Sequence, residues 1–256
     1  ADRGVEIKEW QIDPETGLLD PSDLANLLDD GVRMVCFPHC SNVVGAINDV
    51  AKITTMVRNA GAYSCVDGVS YAPHGFPNVD ELGADIYLFS AYKTYGPHQG
   101  LMVIRRELGM SLPNQGHYFN AGTLHKRFTP AGPDHAQVAA CAGMADYVDA
   151  VYAHHYKPKA SPAVRASHVH DLFRDHEKLL AQPILDYLSS KNSVQLVGPA
   201  SAESRAPTIA LKLQISGVEA AKKLAPFGVM AGGGDFYAVR PLEAMGISPE
   251  HGVLRL

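Results

Sequence analysis

The sequence has few cysteines, and they form no recognisable metal or redox motif. It contains four, with no CxxC pair and no zinc-ligand spacing: Cys36, Cys40, Cys65 and Cys141. Three histidines of one helical stretch lack partnering thiols or acids and are predicted to face solvent: His168, His170 and His176. We therefore predict no metal site and expect free thiols in the reducing cytoplasm.

Long apolar runs and clusters of positive charge are also lacking. No run approaches the roughly 18 apolar residues that a membrane span needs, and no signal peptide is visible. Lys and Arg number 22 against 27 Asp and Glu, which gives a formal net charge of −5. Nucleic acids and anionic membranes bind clustered cations, so neither is an expected partner. The 46% of hydrophobic residues is ordinary for a globular enzyme.

Short apolar runs alternate with helical patterns over the first part of the chain. Strands are predicted at VRMVCFP (32–38), AYSCVDG (62–68), ADIYLF (84–89) and GLMVIRR (100–106). Helices are predicted at AINDVAKITTMVRNAG (46–61) and NVDELG (78–83). This alternation predicts an α/β fold with a mostly parallel sheet that is covered on both faces.

The rest of the chain predicts a second, smaller domain. Residues 110–134 form a Gly/Pro/Asn-rich connection of the length that is often functional, and a helix is predicted over 135–155. A long helix over 162–190 and further strands follow. We predict a large domain over residues 1–156 and a small α+β domain over 157–256. The strand-like ends VEIKEW and GVLRL suggest a piece of a longer protein that is trimmed at both ends.

Polar residues follow the predicted strands where each one ends. Asn42 comes after the first strand, Asp67 closes the second, and Lys93 follows the third. Asp67 and Lys93 are 26 positions apart (93 minus 67) and have matching offsets from their strands. Since ligands bind at the carboxyl ends of parallel strands, these residues are candidates for one site. A turn aspartate, a helix-capping asparagine and a solvated lysine remain the alternatives.

These runs together resemble the cofactor core of a known family. SNVVGAINDV, AGAYSCVDGVSYAPH and LGADIYLFSAYKTYGPHQGLMVIRR occur in the order and spacing of class V aminotransferases, which include the cysteine desulfurases. The family consists of fold-type-I enzymes that use pyridoxal 5′-phosphate. The resemblance is continuous from Val35 to Arg106 and fainter onward to Arg255.

The resemblance implies a role for each candidate residue around the cofactor ring. Lys93 would bind the cofactor aldehyde covalently as a Schiff base, and Asp67 would pair with the pyridine nitrogen. Asn42 would lie near the phenolic oxygen, and Ser70 stands where relatives carry a glutamine at that oxygen. A buried setting is expected for Lys93, because desolvation activates an amine as a nucleophile.

The resemblance also implies residues for the phosphate and the substrate. Ser90 would bind the cofactor phosphate, and Tyr92 stands where desulfurases carry a histidine beside it. Arg255, in the terminal VLRL, would hold the substrate carboxylate with its planar pair of donors.

Three features depart from the family pattern. No counterpart of the ring-stacking residue or of the first phosphate-binding turn precedes Trp10. Gly132 stands in FTPAGPDHAQ where relatives carry a phosphate-binding threonine. The segment GGGDFYAVRPLEAMG has no cysteine where desulfurases carry the catalytic one, and Ala238 lies closest to that place.

These features predict a transferase that acts at the α-carbon of a small amino acid, most consistent with a class V aminotransferase. The resemblance implies a homodimer in which residues 110–134 contact the partner's site. Two alternatives remain open. One is cysteine desulfurase-like sulfur transfer through another thiol, for which Cys40 is the nearest candidate, and the other is a non-catalytic scaffold with the same fold.

Overall fold

Strands and helices alternate along most of the chain. The computed structural model describes residues 4–129, 131–157 and 159–256. Within these ranges the strands are β1 (Met34–Pro38), β2 (Tyr63–Asp67), β3 (Ile86–Ser90), β4 (Gly100–Ile104), β5 (Gln195–Val197), β6 (Ala210–Lys212), β7 (Gly232–Gly234) and β8 (Val253–Arg255). The helices are α1 (Pro21–Leu27), α2 (Val50–Asn59), α3 (Val79–Leu82), α4 (Arg106–Ser111), α5 (Leu124–Arg127), α6 (His135–Ala140), α7 (Ala142–His155), α8 (Pro162–Ser189), α9 (Gly217–Leu224) and α10 (Val239–Ala244). None of these helices is long and apolar enough to span a lipid bilayer.

The described chain forms two compact units that are discontinuous in sequence. The first unit comprises residues 33–39 and 50–173, and the second comprises the residues up to Val32, 40–49 and 174–256. The uninterrupted helix α8 contributes to both units. The described residues therefore do not divide at a single boundary after residue 156. For the whole protein, the division into 1–156 and 157–256 stays a prediction.

The sheet of the first unit has the strand order β1-β2-β3-β4. β1, β2 and β3 are parallel, whereas β4 pairs with β3 in the antiparallel sense. The residues between β3 and β4, 91–99, are too few for a parallel crossover, which needs about a dozen or more. The mostly parallel α/β sheet is confirmed, with β4 as an antiparallel edge strand.

One face of this sheet is buried and the other is largely open. Val35, Phe37 and Val66 are buried on one face. On the other face the alternate residues include Met34 and Tyr63, and both are exposed. The prediction of a sheet covered on both faces is therefore wrong for the described residues.

Helix α2 packs an apolar stripe with helical spacing into the first unit. Its buried residues are Val50, Ile53, Thr54 and Val57. The helix is followed by Gly61, whose φ of 75° lies in the left-handed region that glycine tolerates. The Ala62 N–H then donates to the Val57 carbonyl at 3.1 Å, which leads the chain directly into β2.

Two other predictions from the sequence are corrected. The helix predicted over 135–155 is divided at Cys141 into α6 and α7, and the Asp134 carboxylate caps the first by accepting from the N–H groups of Ala136 and Gln137. The strand-like run at 5–10 forms no strand, because its apolar side chains Val5 and Ile7 are exposed and its backbone is not part of a ladder.

The sheet of the second unit is antiparallel, with the order β5-β6-β8-β7. One apolar cluster lies against it between α8, α9 and the strands and includes Leu185, Leu211 and Leu254. Helix α9 approaches β7 so closely that a Cβ on Gly233 would lie 2.1 Å from the backbone carbon of Gly217. Glycine at this position is therefore a packing requirement.

Candidate functional site

The carboxyl ends of the three parallel strands lie together at one edge of the first unit. In the register of the sheet, Pro38 is opposite Asp67, and Asp67 is opposite Leu88. Ser90 lies two residues beyond Leu88 on the same strand, so its side chain and that of Asp67 are on the same face. The strand register therefore places Asp67 and Ser90 at a common edge of the sheet.

The backbone around Asp67 is held from both neighbouring strands. The His39 N–H donates to the Asp67 carbonyl, and the Gly68 N–H donates to the Leu88 carbonyl, each at 2.7 Å. The Oδ1 of Asp67 accepts from the Val69 N–H at 2.9 Å, and Oδ2 has no hydrogen bond within the described ranges. Asp67 is therefore a fixed and exposed carboxylate with one oxygen available to a ligand.

Lys93 ends a 3-10 turn that follows β3. The N–H groups of Thr94 and Gly96 both donate to the Ala91 carbonyl at 2.8 Å, and Tyr95 has a φ of 67° in the left-handed region. This closed turn presents Lys93 to solvent, so the expected buried setting of Lys93 is wrong for the described chain. Its ammonium has no hydrogen bond or ion pair among the described residues.

Ser70, Ser90 and Tyr92 surround these two charged groups in sequence. Both serines are partly buried, and neither hydroxyl is engaged within the part of the chain that the structure describes. The Tyr92 ring stacks on His98 with centroids 4.7 Å apart and lies 6.0 Å from the Lys93 ammonium nitrogen. The first unit thus carries a carboxylate, an amine, two hydroxyls and a stacked aromatic pair.

A buried histidine at the same edge was not singled out from the sequence. His39 stacks on Tyr71 with centroids 3.7 Å apart, and its Nδ1 is 2.9 Å from the Tyr87 hydroxyl. Burial, and then the nearby charge of His170, lowers the pKa of His39 to about 3. His39 is therefore a neutral hydrogen-bonding group at pH 7. In the sequence it is simply the residue that follows an apolar run, and this position does not indicate that its side chain is buried.

The prediction that the α8 histidines face solvent is wrong for two of them. The Nε2 of His170 is 3.1 Å from the Tyr71 hydroxyl, and His168 stacks on Tyr152 with centroids 5.8 Å apart. Both are partly buried, because α8 packs this side against aromatic residues. His176 is exposed as predicted.

Asn42 and Arg255 belong to the second unit and contact each other there. The Nη1 of Arg255 donates to the Asn42 carbonyl at 3.1 Å, and the Nδ2 of Asn42 donates to the Phe236 carbonyl at 2.8 Å. The Arg255 guanidinium carbon lies 3.8 Å from the centroid of the Phe236 ring. Partial burial lowers the pKa of Arg255.

The thiol nearest to Asn42 in sequence is buried. Cys40 donates from Sγ to the Gly45 carbonyl at 3.3 Å, and burial raises its pKa to about 12. A thiol with this pKa is almost entirely protonated at pH 7 and is a poor nucleophile. The Cys36 thiol shows the opposite shift. It lies on β1 opposite Cys65 on β2, and a hydrogen bond from Cys65 lowers the pKa of Cys36.

The fold of the chain is shared with solved structures of known proteins. A cysteine desulfurase from Thermococcus onnurineus matches 98% of this chain with a TM-score of 0.74 at 22% identity, and the match covers 61% of that protein. The fold is accordingly that of the pyridoxal phosphate-dependent enzymes of fold type I.

The sequence relatives identify the family. The family model for aminotransferase class V matches residues 1–157. "Aminotransferase-like protein FGM3" of Gibberella zeae is 33% identical over 98% of this chain and 60% of its own length. A cysteine desulfurase of Haloferax volcanii is 27% identical over 77% of this chain and 45% of its own length. The chain belongs to the class V aminotransferase family, and it spans about 60% of the first of these relatives.

Proposed function

We propose that the full-length protein is a pyridoxal phosphate-dependent transferase that acts at the α-carbon of a small amino acid, most consistent with an aminotransferase. One observation supports this most strongly. In a member of the class V family, the exposed Asp67 carboxylate ends one parallel strand, and the exposed Lys93 ammonium follows the neighbouring strand. The Lys93 ammonium has no hydrogen bond or ion pair among the described residues.

The side chains of the first unit fit the proposed cofactor chemically. Asp67 offers a free carboxylate oxygen, Lys93 a free amine, and Ser70 and Ser90 unengaged hydroxyls for a phosphate or ring oxygen. Tyr92 adds an aromatic surface. Asn42 belongs to the second unit, where its amide nitrogen donates to the Phe236 carbonyl. When bound, pyridoxal phosphate supplies an aldehyde for the substrate amine and a ring that withdraws electrons from the α-carbon.

The chain's own residues then have distinct tasks. The Asp67 carboxylate would pair with the ring nitrogen of the bound cofactor and favour its protonated form, because an opposite charge nearby stabilises the cation. The Lys93 amine removes and returns the proton at the substrate α-carbon. The Arg255 guanidinium binds the substrate carboxylate through two parallel hydrogen bonds.

Chemical trapping tests this proposal directly. Full-length protein is loaded with pyridoxal phosphate, reduced with borohydride and digested, and the modified peptide is sequenced by mass spectrometry. We expect the modification on Lys93, and an unreduced sample serves as the control. Modification of another lysine would contradict the assignment of Lys93. An unchanged absorption spectrum during titration with the cofactor would favour the non-catalytic scaffold.

Cysteine desulfurase activity is the second candidate, because several relatives carry that name. The structure weakens the suggestion that Cys40 accepts the sulfur, since Cys40 is buried and its pKa is raised. We expect the full-length protein to convert an amino acid to its keto acid and to release no alanine from L-cysteine. Release of alanine that is retained in Cys40→Ser and lost in Cys36→Ser would instead assign the sulfur chemistry to Cys36.

We also propose that the protein is a homodimer and that residues 110–134 contact the partner. This segment carries an aromatic patch, His117–Phe119, in which Tyr118 is 81% and Phe119 is 69% exposed. Exposed aromatic side chains of this size are typical of interface anchors.

The dimer proposal predicts the effect of a double substitution. Tyr118→Ser with Phe119→Ser should weaken the dimer of the full-length protein at least about tenfold, because interface aromatics contribute strongly to affinity. Light scattering over a dilution series measures the change. The matched control is Leu179→Ser with Leu180→Ser, two exposed apolar residues of α8. Equal effects of the two double variants would show that the aromatic patch is not the interface.

A cytoplasmic location is part of the same proposal. The four cysteines are all unpaired, as is usual for proteins of a reducing compartment.

A further inference from the structure

We propose that Phe236 is a positioning residue for Arg255 and holds the guanidinium in the orientation that receives a substrate carboxylate. This inference rests on the proposed function for the identity of the ligand. The orientation of Arg255 itself follows from contacts within the second unit.

Three residues form a closed set of contacts around the guanidinium. The guanidinium carbon of Arg255 lies 3.8 Å from the Phe236 ring centroid, which is within the range of a cation–π contact. Its Nη1 donates to the Asn42 carbonyl, and the Asn42 amide donates to the Phe236 carbonyl. Each residue is therefore held by the other two.

Gly232 provides the space for the aromatic ring. In the sheet, Gly232 on β7 is directly opposite Arg255 on β8. A Cβ at Gly232 would lie 3.1 Å from the Cε1 and Cζ atoms of Phe236, closer than ordinary van der Waals contact. A Cβ at this position would require the Phe236 ring to shift by a few tenths of an ångström from its place over Arg255.

The backbone adopts an unusual conformation at the same point. Phe236 has a φ of 51° and Tyr237 a φ of 62°, so two consecutive residues other than glycine are left-handed. The turn is closed by Asp235, whose Oδ1 accepts from the Tyr237 N–H at 3.0 Å and whose carbonyl accepts from the Ala238 N–H at 2.9 Å. Tyr237 is 100% exposed, so its own packing does not explain the conformation. Strain of this kind persists where the surroundings impose it and is common at ligand sites.

The contacts leave one edge of the guanidinium for a ligand. Nη1 is engaged by Asn42, whereas Nε and Nη2 have no hydrogen bond within the described ranges. These two nitrogens form the side edge of the guanidinium, which matches the two oxygens of a carboxylate. Because the Phe236 ring covers one face, the plane of this edge is fixed before the ligand arrives.

The test compares Phe236→Leu, Phe236→Tyr and Gly232→Ala in the full-length protein. The cofactor-free protein is titrated with acetate while the Nε–Hε resonance of Arg255 is followed by NMR. We expect Phe236→Leu and Gly232→Ala to shift this resonance and to weaken acetate binding about tenfold, the amount that loss of a cation–π contact implies. Phe236→Tyr, which keeps the ring, should bind acetate as the wild type does. An unchanged resonance and an unchanged affinity in Phe236→Leu would overturn the proposal.

A second measurement separates this inference from the proposed function. In the cofactor-loaded protein, Phe236→Leu should raise the KM for L-alanine about tenfold and change kcat less than about twofold. The half-saturation concentration for L-alaninamide, which has no carboxylate, should not change. If acetate binding depends on Phe236 but the protein shows no reaction with either amine, the positioning role stands and the transferase proposal fails. Equal effects on L-alanine and L-alaninamide would overturn the positioning role.

Discussion

Lys93→Arg is expected to lower the turnover of the full-length protein by about 10³-fold or more while leaving the protein folded. Arginine keeps the positive charge, but its guanidinium does not form the covalent link to an aldehyde and does not exchange a proton near pH 7. Loss of a positioned acid–base group alone costs about 10²- to 10⁴-fold. The measurements are steady-state turnover and the absorption spectrum of the protein with pyridoxal phosphate.

The stability of this variant should be nearly unchanged. Lys93 is exposed, and its ammonium has no hydrogen bond among the described residues, so the free energy of unfolding should stay within about 0.5 kcal/mol. Lys222→Arg, at an exposed position of α9, is the matched control and should retain full turnover. Retention of turnover and of the borohydride-trapped product in Lys93→Arg would show that another amine carries the cofactor.

Arg205→Met is expected to lower the free energy of unfolding by about 3–5 kcal/mol, because it leaves three backbone carbonyls without their hydrogen-bond donor. Arg205 is 1% exposed and donates to the carbonyls of Val197, Pro199 and Thr208. Burial lowers the pKa of Arg205 to about 10, so the side chain remains a cation at pH 7. Methionine fills much of the volume but donates no hydrogen bond, and each buried carbonyl left without a donor costs about 1–3 kcal/mol.

Arg205 joins separate segments of the second unit, so its loss should destabilise that unit as a whole. Its backbone forms a bridge with Ala46, and its carbonyl accepts from Nη2 of Arg174 at 3.0 Å. Urea denaturation measures the loss. The same substitution at Arg240, whose exposed guanidinium pairs with Glu9, should change the free energy of unfolding much less, because solvent screens exposed ion pairs. Similar losses for the two variants would mean that the buried network contributes little to stability.

Much of the first unit could be predicted from the sequence because its signals are local. Continuous apolar runs of strand length defined β1, β2 and β3, and a glycine marked the end of the helix between the first two. The positions of Asp67 and Lys93 relative to the ends of their strands could be predicted too, because they also follow from local order along the chain. Parallel strands that follow one another bring their carboxyl ends to one edge, so order along the chain indicated which end residues share that edge.

Other features of this unit depend on contacts between distant segments. The open face of the sheet and the exposure of Lys93 depend on which segments cover them, and no pattern within a strand records this. The stack of His39 on Tyr71 and the contact of Tyr71 with His170 join residues up to 99 positions apart. The helical pattern of α8 therefore predicted the helix but not which of its histidines are packed.

By itself, the sequence determined the parallel strands, the long helix α8 and the residue types that meet at the strand ends, since each follows from periodicity and order along the chain. Only the tertiary structure decided the burial of Arg205 and the contact of Phe236 with Arg255. Both depend on side chains that approach from separate segments, and on a left-handed backbone at Phe236 that its own residue type disfavours.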